Sequence, residues 1–86
     1  MAGYELLSKP SAVKEIERVP RKADRRRVIK RIRALAGEPR PDGGTKLSGR
    51  EEYRVRHGLY RIIYAVKDDQ RTVLIVKVGH RRDVYR

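Results

Sequence analysis

Apolar and polar positions change period partway along this chain, dividing it into a helical first half and a stranded second half. Val13, Ile16 and Val19 recur at intervals of three and leave Lys14, Glu15, Glu17 and Arg18 for water, which predicts a short one-sided helix. Ser8 is its expected cap, Pro10 belongs to its first turn, and Pro20 ends it. Over residues 21–36 the stripe is longer: Val28, Ile29, Ile32, Leu35 and Ala36 predict a second core-facing helix, stopped by Gly37 and Pro39. Residues 4–7, ahead of both helices, predict a short strand at a sheet edge.

Past residue 52 the pattern is that of strands. Segments 53–57, 59–67 and 72–78 are rich in Val, Ile and Tyr, and are separated by His57-Gly58 and by Asp68-Asp69-Gln70-Arg71. Two consecutive hairpins are expected. Residues 38–44, with their Pro and Gly, read as a loop into 45–52. The expected architecture is α+β in β-α-α-β-β-β order, with two N-terminal helices packed on a three- to four-stranded antiparallel sheet. A chain of 86 residues has room for one such domain, spanning 1–86, with one modest core.

Charge changes the picture more than size does. Lys and Arg number 23 against 11 Asp and Glu, a formal charge of +12, so the chain repels itself unless an anion or an acidic protein sits nearby. Nucleic acid is the default partner of such a chain. Arg21, Lys22, Arg25, Arg26, Arg27, Lys30, Arg31 and Arg33 cover the polar side of the second helix, relieved by Asp24 alone, which favours a phosphate or an acidic partner over a merely solvated face. Without cysteine there is neither a disulfide nor a thiolate metal site. The lack of a signal-like or membrane-spanning apolar run gives the expectation of a cytoplasmic protein without a membrane partner.

Alternation along 53–57 places Tyr53, Val55 and His57 on one side and Arg54 and Arg56 on the other. If His57-Gly58 is a two-residue hairpin loop, Arg54 lies directly opposite Arg61, whereas a three-residue loop removes that pairing. Like charges in register destabilise a sheet, so such a pair points to a bound phosphate rather than to folding. Arg61 is also the one charge in the apolar run 60–66. Gly79 is placed to break the last strand and let the tail fold over the sheet, bringing His80, Arg81, Arg82 and Tyr85 to complete a site for a phosphodiester. No metal or catalytic-dyad pattern competes with this set, and Gly43-Gly44-Thr45-Lys46 lacks the spacing of a phosphate loop.

The run KLSGREEYRVRHGLYRIIYAV (46–66), followed by VLIVKVGHRRDVY (73–85), resembles the RelE superfamily of toxins, ribosome-dependent mRNA endonucleases of type II toxin–antitoxin systems. The resemblance covers nearly the whole chain and implies cleavage of mRNA in the ribosomal A site by attack of the ribose 2′-OH on the adjacent phosphate, without metal or cofactor. Arg61 falls on the arginine that holds the scissile phosphate, Arg81 on the one that stabilises the transition state, and Tyr85 on the tyrosine that moves protons and orients the nucleotide. Arg54 and Arg56 stand where the best-known member has lysines, and Lys46, Arg56, His80 and Arg82 are expected to bind RNA. The departure at Arg54 matters because a lysine can act as a base and an arginine effectively cannot. Tyr85, His80 or His57 would then move the proton, or positioning of the 2′-OH would suffice. The implied partners are the ribosome with its mRNA and a cognate antitoxin that wraps the basic surface in a hetero-oligomer. The rival readings are a ParE-like toxin that inhibits DNA gyrase and cuts no RNA, and a non-catalytic ribosomal or DNA-packaging protein.

Overall fold

The computed structural model describes residues 3–41, 44–47 and 52–80. The elements run β1 (Glu5–Ser8), α1 (Pro10–Glu17), α2 (Lys22–Gly37), β2 (Thr45–Lys46), β3 (Glu52–His57), β4 (Tyr60–Lys67) and β5 (Thr72–His80). The α+β class and the element order are as expected, and the sheet is larger and mixed. Its order is β1-β5-β4-β3-β2, with β2 a two-residue addition on the edge. β1 runs parallel to β5, from Glu5↔Thr72 to Ser8↔Ile75, because two helices rather than a turn carry the chain from one edge back across the sheet.

Both helices cover the same face. Val28, Ile32 and Leu35 of α2 and Ala12 of α1 meet Val55, Ile62, Tyr64, Val66, Val73, Ile75 and Val78 in one core cluster. Of the expected stripe, Ile16 packs against the core and Val19 is buried at 4%, while Val13 is 42% exposed and Ala12, at 0%, takes its place. Lys9, not Ser8, is the N-cap of α1 and makes no side-chain capping bond; the amide of Val13 donates to its carbonyl at 3.1 Å. Arg25 of α2 is structural, its guanidinium donating to the carbonyl of Val19 at 3.0 Å in the turn between the helices.

Polar ties fasten the ends of the sheet. Asp68, in the β4–β5 turn, accepts two bonds from Arg40 at 3.1 and 2.8 Å and one from the hydroxyl of Tyr4 at 2.7 Å. The Arg40 pair holds its carboxyl down at about 2, and the Tyr4 bond adds to the effect. Arg40 also donates to the Tyr53 hydroxyl at 2.9 Å, and the Tyr53 ring stacks on Tyr64 at 5.8 Å. Tyr64 is fully buried, and its hydroxyl donates to the carbonyl of Pro39 at 2.7 Å; burial raises its phenol above the usual range.

Candidate nucleic-acid face

The β3–β4 hairpin sets the register of everything that follows. Its two-residue loop is Gly58-Leu59, flanked by the pair His57↔Tyr60, not His57-Gly58 as expected. Gly58 has φ 60°, and Leu59 is not in the left-handed region. A positive φ at the first central position alone is the type II′ turn, which calls for glycine at that place and so shifts the loop by one residue. The pairing is therefore Arg56↔Arg61, with Arg54 opposite Ile63. The like-charged pair exists, and it is formed by Arg56 rather than Arg54.

Following the register across β5 defines rows on the face opposite α1 and α2. One row is Arg56–Arg61–Gly79, the next Arg54–Ile63–Lys77, and a third Glu52–Ala65–Leu74. Arg54 and Arg56 share a face, as the alternation of β3 predicts, and the register brings Arg61 to the same face opposite Arg56. Adjacent strands lie about 4.8 Å apart and alternate residues about 6.8 Å along a strand, so these guanidiniums share one patch. Arg56 is exposed, Arg54 and Arg61 are half-buried, and the Nε of Arg61 is shut off from solvent. Gly79, paired with Arg61, contributes no side chain of its own to this row.

The remaining expected residues are distributed differently. Lys46 pairs with Tyr53, placing it on the helix side at the β2 edge. His80 pairs with Tyr60, which pairs with His57, so both imidazoles lie in one row on the helix side; the rings of Tyr60 and His80 meet edge to face at 6.1 Å. β5 continues through Gly79 to His80 instead of breaking, because Gly79 pairs with Arg61 and His80 with Tyr60. Arg81, Arg82 and Tyr85 lie outside the described residues. Among the described residues, no three His, Asp or Glu stand together in a way that would hold a metal, and no helix is long and apolar enough to cross a membrane.

Sequence reasoning missed Lys77 and Glu52 on this face. Strict alternation from Val73 and Ile75 sends Lys77 into the core, but the register shifts between Ile63 and Tyr64: Tyr64 pairs with Ile75 and Ile63 with Lys77, leaving Val76 as an extra residue. That bulge turns Lys77 outward and Val78 inward. The clue available in the sequence was a lysine inside the apolar run of 73–78.

Comparison with known proteins agrees with the fold and with the resemblance. Residues 6–85 match the family model described as the ParE toxin of the type II toxin–antitoxin system parDE. A chain of the archaeal RelE–RelB complex from Pyrococcus horikoshii superposes with a TM-score of 0.82 at 31% identity, covering 98% of this chain and 100% of that one. The isolated RelE toxin of E. coli gives 0.79 at 27% identity, covering 96% of this chain and 92% of that one. A curated relative, Toxin RelG of Mycobacterium tuberculosis, is 44% identical over 34 residues, a match that spans 40% of this chain and 39% of RelG.

Proposed function

The chain belongs to the RelE/ParE superfamily of type II toxin–antitoxin toxins, and from that premise we propose that it is a metal-independent endoribonuclease that cuts mRNA in the ribosomal A site. The observation that carries this reading is the row Arg56–Arg61–Gly79, two cations in register on the sheet face opposite the two helices. A phosphodiester bound between the guanidiniums would relieve the repulsion of such a pair.

In the proposed reaction the 2′-OH oxygen bonds to the adjacent phosphorus and the P–O5′ bond breaks, leaving a 2′,3′-cyclic phosphate and a free 5′-hydroxyl. Arg61 and Arg56 hold the phosphate and stabilise the charge that builds on its oxygens, with Arg54 beside them and Arg81 completing the set. Since arginine keeps its proton, and His57 and His80 lie across the sheet from Arg61, Tyr85 is the side chain best suited to proton transfer. Holding the 2′-OH in line supplies the rest of the rate enhancement. RelE-type relatives crystallised with RelB support a cognate antitoxin as the second partner. An acidic segment of that antitoxin would neutralise the exposed Lys22, Arg26, Arg27, Lys30 and Arg33 of α2, giving a toxin–antitoxin hetero-oligomer whose affinity falls with salt.

Primer extension on a reporter mRNA in a purified translation system tests the reading. Ribosome-dependent cuts within A-site codons are expected, and they disappear with Arg61→Ala. The family model, named for ParE, keeps gyrase inhibition as the second reading. Intact mRNA together with quenched supercoiling by purified gyrase would replace the first reading with the second.

A further inference from the structure

Resting on that nuclease reading, we propose that Lys77 is a further RNA-binding residue, which with Arg54 holds the phosphate next to the one gripped by Arg56 and Arg61. Lys77 and Arg54 sit on either side of Ile63 in the row adjacent to Arg56–Arg61–Gly79. The chain therefore presents two parallel rows, each with a cation from β3 and a second cation from another strand. A single-stranded backbone passing over the face meets one row and then the other, with successive phosphates facing successive cation pairs.

Three features set Lys77 apart from an ordinary surface lysine. It is half-buried in the middle of the sheet, inside the otherwise apolar stretch Val73–Val78. Its outward direction depends on the bulge at Val76, a device that re-aims side chains beside functional sites. It also stands among guanidiniums, with no hydrogen-bonded or ion-paired carboxylate among the described residues. Glu52 offsets only part of the positive charge that Arg54, Arg56, Arg61 and Lys77 gather on this face, and a bound anion would offset more. Ile63 and Ala65, at 8% and 9% exposed, give the face opposite α1 and α2 an apolar floor beneath these cations. Long cationic side chains emerging around such a floor hold phosphates at their tips while their stems stay packed.

The test uses the full chain and a non-cleavable 2′-O-methyl RNA hexanucleotide, with affinity measured by fluorescence anisotropy over a salt series. Lys77→Met keeps the stem and removes the charge, and Lys77→Arg keeps the charge. The methionine variant is expected to bind about tenfold more weakly, as loss of a charge-assisted bond implies, and the slope of log affinity against log salt should fall by about 0.7, one single-strand phosphate contact. The arginine variant should stay within about twofold of wild type, and in the ribosome assay Lys77→Met should raise KM more than it lowers kcat. Wild-type affinity and slope in Lys77→Met, with wild-type mRNA cleavage intact, would overturn the inference and leave the nuclease reading standing. A wild-type chain that neither binds the oligonucleotide nor cuts mRNA on ribosomes would overturn both.

Discussion

The two faces of the sheet are written in the same strands and obey opposite rules. On the helix side, Val55, Ile62 and Val78 form a row of residues at most 1% exposed, closed over by Val28, Ile32 and Leu35. One residue away, the side opposite the helices carries Arg56–Arg61–Gly79 and Arg54–Ile63–Lys77. The first face gains from every contact it makes. The second sets Arg56 against Arg61 with Arg54 and Lys77 nearby, a positive patch that an arriving anion would stabilise. If the cationic face is the RNA site, stability and function separate by the parity of a position, and that separation can be tested residue by residue.

The largest contrast sets Leu35→Ala against Arg61→Ala. Leu35 is fully buried among the strands, so its truncation should cost about 2–5 kcal/mol of folding free energy in urea unfolding. Arg61→Ala should lower kcat for mRNA cleavage by about 10²–10³, as loss of a preorganised donor to a transition-state oxyanion does, with no loss of stability in urea unfolding. If Arg61→Ala unfolds the protein as readily as Leu35→Ala does, the two faces are not separable and the cationic one is part of the core.

Register is the next point of attack. Gly58 has open space where a Cβ would sit, so Gly58→Ala introduces backbone strain alone, about 1–2 kcal/mol at φ 60°. The hairpin then weakens or slips, and a slip of one residue would exchange the faces of β3. The expected result is a lower melting temperature with a still larger loss of cleavage. Arg56→Ala should do the reverse, relieving the like-charged pair with Arg61 and raising stability by about 0.2–1 kcal/mol while RNA binding weakens. A destabilised Arg56→Ala protein would show that Arg56 serves the fold.

These residues also show how far the sequence is legible. The helices, the hairpins and the outward grouping of Arg54 and Arg56 follow from apolar period and alternation, which act locally. The Arg56–Arg61 register depends on which two residues form the loop, and the preference of a type II′ turn for Gly58 at its first position moved it by one. Lys77 was hidden by a bulge, which breaks alternation without a glycine or proline to mark it. His80 was misplaced because Gly79 did not end the strand. The ties from Arg40 to Asp68 and Tyr53 join residues 28 and 13 positions apart, beyond the reach of any local pattern.

The smallest expected effect belongs to that tie, which lies outside both rows of cations. Asp68 accepts from Arg40 and Tyr4, and its folded pKa of about 2 lies below the ordinary 3.8. A depressed carboxylate contributes stability that is fully present above the unfolded value and is lost as pH falls through the folded one, so the contribution should fade between about pH 4 and pH 2. The bond to Asp68 raises the pKa of the Tyr4 phenol above 10.0, so the contribution of Tyr4 is complete below that pH and is lost as pH rises beyond it. Asp68→Asn should remove the acid-sensitive part, flattening the dependence of the urea midpoint between pH 4 and pH 2 relative to wild type while leaving RNA binding at neutral pH unchanged, because neither Asp68 nor Tyr4 lies in the rows of Arg56 or Arg54. Equal acid dependence in the two proteins would mean that the tie is too exposed to affect folding, and a loss of RNA binding in Asp68→Asn would mean that the edge and the cationic face are coupled.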